Sequence, residues 1–202
     1  MLRLMRGAMA RNNLAGKMEL SYAQIPRRPV NVMDLKEVFK FVSPLLRDAA
    51  IKAADQLNQL GIRHALTGGL AVGAHGYIRA TVDVDFLVGE EAFEHRGPVV
   101  AFKSGVPIEV DGVRIDYLSP VSLSPQVEEV LDHPPVSEGL PIVPIEVLIY
   151  TKLVAKRRRD LVDVLELVKA GADVRRVRDY LSQYARDLLP AFEELAREAL
   201  AG

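Results

Sequence analysis

Residues 82–88, Val-Asp-Val-Asp-Phe-Leu-Val, constrain this chain more than any other stretch. A run this rich in β-branched and apolar residues favours a strand. Side chains alternate across a strand, so Asp83 and Asp85 share one face. Val82, Val84 and Phe86 share the other and are expected to pack on helices. Two carboxylates held this close repel each other and lose solvation. Either a cation neutralises them, or they lie on a solvated edge strand. If a cation does so, oxygen ligands call for a hard divalent ion, Mg²⁺ or Mn²⁺.

A third acid bears on that choice. Asp111-Gly112 is a favoured two-residue hairpin turn, so 106–118 is expected to fold back on itself. Val110 then faces Val113, and Ile108 faces Ile115. Val106, Ile108, Val110, Val113, Ile115 and Tyr117 line one face, and Glu109, Arg114 and Asp116 the other. If this strand lies beside 82–88, Asp116 joins Asp83 and Asp85. Three convergent carboxylates are the arrangement of a two-metal site for in-line attack on a phosphate. Otherwise Asp116 is a surface residue partnered by Arg114 or a neighbour.

Upstream, 62–67 reads as a short strand and Gly68-Gly69 as a turn. A short helix follows over 70–75, with His75 at its end and Gly76 as its stop. Glycines at a helix start let an anion approach the backbone N–H groups, and a phosphate is the natural guest. Taken alone, a Gly-Gly pair is more often an ordinary tight turn. Arg79 suits charge-assisted bonds to a triphosphate. Thr81 shares the strand parity of the aspartates, so its hydroxyl can face the same site. Both also fit purely structural roles. His64, His95 and His133 have no spacing partners.

Elsewhere the pattern is helical. Leu35, Val38 and Phe39 repeat at helical spacing. Ser43-Pro44 reads as an N-cap with proline at the first helical position. Leu45, Leu46, Ala49, Ala53 and Leu57 follow on one side, and Gly61 ends the helix. After Pro144 the chain is helical almost to its end. Leu161, Val164, Leu165 and Val168 form a stripe closed by Gly171, and further helices are expected over 174–186 and 190–200. Helices, a small mixed sheet and a helical tail give an α+β or α/β class. The expected division is an N-terminal extension at 1–33, poorly ordered or preceding a true start at Met18 or Met33, a core at 34–141, and a helical region at 142–202.

Composition narrows the function classes. The chain is 49% hydrophobic and 26% charged with a net charge of -1, so charge alone draws it to neither nucleic acid nor membrane. The cysteine count of 0 excludes disulfides, thiol catalysis and thiolate metal sites, and suits a reducing compartment. No apolar run is long enough to span a bilayer. The basic first residues lack a secretory apolar core, so a cytoplasmic protein is expected.

Gly68-Gly69, thirteen residues, Asp83-Val84-Asp85 and a later Asp116 together resemble the nucleotidyltransferase superfamily that includes DNA polymerase beta. Within it the chain looks like the small bacterial AbiEii-like and minimal nucleotidyltransferases. A second block, Tyr150 to Asp163, is similar to the helical segment after the AbiEii-like core. That segment's lysine falls on Lys152, its Arg-Asp on Arg159-Asp160, and its last acid on Asp163.

The resemblance implies a small mixed sheet flanked by helices. It implies transfer of a nucleoside monophosphate from an NTP to a hydroxyl of a protein, a tRNA or a small molecule. Asp83, Asp85 and Asp116 would be catalytic and hold Mg²⁺ or Mn²⁺. Gly68, Gly69, Arg79, Thr81, Lys152 and Asp160 would bind the nucleotide. A toxin-like role, an antitoxin partner and a homo-oligomer are further implications. Many members have Gly-Ser where this chain has Gly68-Gly69, which leaves only backbone for the phosphate.

The cluster Lys156 to Arg159 fits an RNA acceptor or a solvated helix face. Lys156 with Asp160 and Arg159 with Asp163 are i,i+4 pairs that need no function. The rivals are an inactive nucleotide-binding or interaction module of the same fold, a haloacid-dehalogenase-type phosphatase, and a sugar-nucleotide glycosyltransferase. Phe86-Leu87-Val88 stands where the phosphatase motif needs Gly-Thr or Gly-Val. No doubly wound half precedes the aspartates, as the glycosyltransferase would require.

Overall fold

Local signals set most element boundaries. In the computed structural model, which describes residues 35–96, 99–120, 123 and 125–201, Pro44 opens the first long helix. The Ser43 hydroxyl caps it by accepting from the Leu45 N–H at 3.2 Å. Gly61, at φ 69°, turns the chain out of it.

The elements are α1 (Leu35–Val38), α2 (Pro44–Gln59), β1 (His64–Leu66), α3 (Gly68–Ala74) and β2 (Val84–Val88). Next come β3 (Phe93–Arg96), β4 (Val99–Phe102), β5 (Glu109–Val110) and β6 (Val113–Leu118). Helix α4 (Pro125–Glu129) and the short strands β7 (Val136–Ser137) and β8 (Leu140–Pro141) follow. The chain closes on α5 (Ile145–Ala155), α6 (Arg158–Lys169), α7 (Val174–Tyr184) and α8 (Leu189–Ala201). The class is α+β.

The central sheet runs β1-β2-β6-β5 and is mixed. Strand β2 is antiparallel to β1 and parallel to β6. Strands β5 and β6 form the expected hairpin, with Val110 opposite Val113. Asp111 and Gly112 both take positive φ, 52° and 80°, as the tight hairpin turn demands. Val84, Phe86 and Ile115 are buried, and α2 packs on β2 and β6 with Leu46, Ala49, Ala53 and Leu57 in the core.

A second connection brings the C-terminal helices to the sheet. Ile142 bridges Leu66 in parallel, and the Val143 N–H donates to the Leu66 carbonyl at 2.9 Å. His75, at the end of α3 as expected, bonds the Val143 carbonyl through Nε2 at 2.8 Å. From this anchor α5 starts beside the sheet and carries Lys152 toward it.

Several expectations are corrected. Val82 is 84% exposed, because β2 begins only at Val84 and Asp83 belongs to the turn before it. Ile108 is 64% exposed although its carbonyl still accepts from the Ile115 N–H at 3.0 Å, since it lies just outside β5 with no described element packed over it. Leu45 lies in the first turn of α2, on its exposed side. Gly68 and Gly69 open α3 instead of forming a separate turn. The β3–β4 hairpin, stitched by the Phe93–Phe102 ring stack, had no strong periodicity to announce it. The expected extension at 1–33 lies outside the described residues. Among the described residues no helix is long and apolar enough to cross a membrane.

Candidate active site

The site is built on the β2–β6 pairing. Asp85 and Asp116 are direct partners across the two parallel strands. Strand alternation then puts Arg114 on the same side of β6 as Asp116. Asp83 reaches that side from the turn before β2. Its carboxylate accepts from the Thr81 hydroxyl at 3.0 Å and from the Arg114 guanidinium at 3.1 Å. Arg114 also pairs with Asp116 at 2.8 Å, so one guanidinium bridges the two outer carboxylates.

Asp85 is the inner member. Its carboxylate lies against the first turn of α3 and accepts the Gly69 backbone N–H. A β-carbon on Gly68 would land on that carboxylate, and one on Gly69 would meet the Thr81 hydroxyl. The two glycines are therefore required by the side chains beside them. Gly68 also has φ 58°, in the left-handed region.

Gly68→Ala is thus expected to lower stability by on the order of 3 kcal/mol, from backbone strain plus steric overlap. Gly61 has a similar φ of 69° with open space around it, so Gly61→Ala should cost only the strain. Urea unfolding of the two variants measures the difference. Equal losses would mean that Asp85 does not need the room at Gly68.

Burial pushes the Asp85 carboxyl up to about 6, and the nearby charge of Asp83 pushes the same way. Lys152 opposes that rise, Asp116 adds to it, and the Gly69 N–H opposes it. The site therefore holds uncompensated like charge. Three carboxylates on one sheet face are the right donors for a hard cation. They are not gathered as a cage: among the described residues no three acidic or imidazole side chains stand ready to hold a metal. The Arg114 bridge holds Asp83 and Asp116 instead.

Beneath the aspartates lies a buried ionic layer. Lys152 Nζ is 2.9 Å from Asp160 and 2.8 Å from Asp163. Arg79 grips Asp163 with two bonds, Nε at 2.6 Å and Nη2 at 2.8 Å. Arg157 Nε donates to Asp160 at 2.6 Å, and Arg159 donates to the Ala80 carbonyl. Burial alone would raise the Asp160 carboxyl, but the bonds from Arg157 and Lys152 outweigh it and hold the carboxyl below its ordinary range.

The expected residues thus fall into two sets. Asp83, Asp85, Asp116, Thr81, Gly68 and Gly69 come together at the sheet. Arg79, Lys152 and Asp160 sit in the ionic layer, where the two cations are held by acids. The i,i+4 pairs expected on α6 are replaced. Asp160 takes Lys152 and Arg157, and Asp163 takes Lys152 and Arg79.

Two residues gain weight that their sequence positions only hinted at. Asp163 is fully buried and is the hub of the ionic layer. Its signal was an acid three residues after Asp160, on the inward side of an amphipathic helix. Arg114 matters through its parity with Asp116, two residues on.

No model of a known protein family matches the chain, and no curated protein matches it. Among solved structures, the chain is similar to an antigenic nucleotidyltransferase-like protein from Paracoccidioides brasiliensis. That match has a TM-score of 0.39 at 17% identity and spans 75% of this chain and 94% of the other.

Proposed function

We propose that this protein transfers a nucleoside monophosphate from an NTP to a hydroxyl acceptor. The observation that carries the reading is the direct pairing of Asp85 with Asp116 across β2 and β6, with Asp83 beside them on the same face. Asp83, Asp85 and Asp116 would hold Mg²⁺ or Mn²⁺, which supplies Lewis-acid polarisation of the phosphates and a lower acceptor pKa.

The chain's own residues do the rest. The absence of side chains at Gly68 and Gly69 gives the Asp85 carboxylate and the Thr81 hydroxyl their places at the nucleotide site, and the Thr81 hydroxyl orients Asp83. Asp116, more open than Asp85, accepts the proton of the attacking hydroxyl. The acceptor oxygen bonds the α-phosphorus as the bond to pyrophosphate breaks. Lys152 and Arg79 provide positive potential from below for the charge that develops on the leaving group, and Asp160 positions Lys152. The acceptor is a protein, a tRNA or a small molecule, and a toxin-like role with an antitoxin partner belongs to the same reading.

Incubation with each α-labelled NTP, Mg²⁺ and fractionated cell extract tests it. Wild-type protein should label an acceptor, and the Asp83→Ala/Asp85→Ala double variant should lose at least about a thousandfold in rate. Undiminished labelling by the double variant would sink the assignment. A second reading is a nucleotide-binding module without turnover. It is favoured by the pairing of Arg79, Lys152 and Arg114 with acids in this structure. Metal-dependent NTP binding with no labelled acceptor would select it.

A further inference from the structure

We infer that Arg114 is the resident counter-cation of the aspartate cluster and competes with a divalent metal for it. The inference rests on the proposed metal-dependent reading of that site. One Arg114 nitrogen, Nη2, lies 3.1 Å from Asp83 Oδ2 and 2.8 Å from Asp116 Oδ2, bridging carboxylates that the sheet holds close together. A bridging cation at that point occupies the space between two of the proposed ligands. The guanidinium cannot diffuse away, because it is tethered two residues from Asp116 on the same strand.

Its hold is weak. The Arg114 side chain is 68% exposed, against 27% for Asp83 and 40% for Asp116. Exposed pairs of this kind contribute little net free energy, so an arriving ion displaces the arginine at small cost. The two contacts of Arg114 Nη2 go to Asp83 and Asp116, and Asp85 lies outside the bridge.

With no metal bound, Arg114 lowers the repulsion among the aspartates. With metal bound, the freed guanidinium sits beside the site, where an anionic phosphate would be its next partner. The arginine thus works as a tethered plug. It sets a threshold of metal concentration below which the cluster stays closed.

The test is metal binding to the full chain, read from the loss of the free Mn²⁺ paramagnetic-resonance signal at neutral pH. Mg²⁺ competition and thermal melts of each variant accompany it. Arg114→Gln should bind Mn²⁺ roughly threefold more tightly than wild type, from the loss of two weak exposed contacts. Arg114→Lys, which keeps the charge but not the planar fork, should fall between the two. Arg114→Gln should also melt lower than wild type without metal and gain more from its addition.

Equal or weaker Mn²⁺ binding by folded Arg114→Gln overturns the plug, even if wild type binds the ion through Asp83 and Asp85. Failure of wild type to bind Mn²⁺, or binding unaffected by Asp83→Asn/Asp85→Asn, overturns the metal reading of the site and the plug with it.

Discussion

Asp85→Asn should make this protein more stable above pH 6 and abolish its transfer activity. The sign follows from the raised pKa. Below the ordinary carboxylate value of 3.8 both folded and unfolded chains hold the proton, so Asp85 contributes nothing. As pH rises from there toward about 6, the unfolded chain releases its proton while the folded chain keeps it, and stability falls. Above that window the full penalty applies, at most about 3 kcal/mol for a shift of this size. Asparagine removes the charge, keeps the shape, and still offers an oxygen to the Gly69 N–H. Urea unfolding between pH 3.5 and pH 8 reads the effect. The variant's midpoint should exceed wild type at pH 7.5 and converge with it near pH 3.5. A gain that is constant with pH, or a loss at pH 7.5, would show that Asp85 is not the strained carboxylate described. A more stable but inactive variant is the expected mark of a charge kept for chemistry.

The opposite result is expected one layer below. Asp163→Ala should lower stability by about 3–5 kcal/mol, because breaking a buried ion pair from one side leaves its partner unpaired. Asp163 is fully buried, and its carboxylate binds both Arg79 and Lys152. Lys152 retains Asp160, but Arg79 loses the carboxylate that two of its nitrogens grip. Asp163→Asn separates charge from volume: it fills the same space and should lose nearly as much. Chemical denaturation of both variants at pH 7 gives the measurement. A loss below about 1 kcal/mol, the level of an exposed pair, would place the network in solvent contact. Transfer should fall in both, since Lys152 and Arg79 are held in position by Asp163.

Much of this architecture was readable from spacing. The Asp111-Gly112 turn, the Val110–Val113 register and the N-cap at Ser43 are local rules, and the structure follows them. The misreadings lie at element edges. Val82, Ile108 and Leu45 have the right residue type for a buried face. They sit one or two positions beyond where pairing or packing stops. Alternation tells which way a side chain points, not whether another element covers it.

The cations were the least legible part. Arg79 and Lys152 suit phosphates by residue type, and in this structure both also pair with acids. Arg79 meets Asp163 across 84 residues of chain, a pairing no local pattern encodes. Lys152 reaches Asp160 and Asp163 only because α5 and α6 fold against each other.

The amino-acid sequence by itself determined two closely spaced carboxylates at the start of a strand, the small residues beside them and the hairpin that carries the third acid. All three follow from residue spacing and turn stereochemistry within short windows. The tertiary structure alone decided that β6 lies parallel to β2 with Asp116 beside Asp85. It also decided that Gly68 makes room for Asp85, and that Arg114 and the buried ionic layer supply the opposing charge. Those outcomes depend on which distant segments pack together, because a charge pair reaches only a few ångströms while the residues that make it stand far apart along the chain.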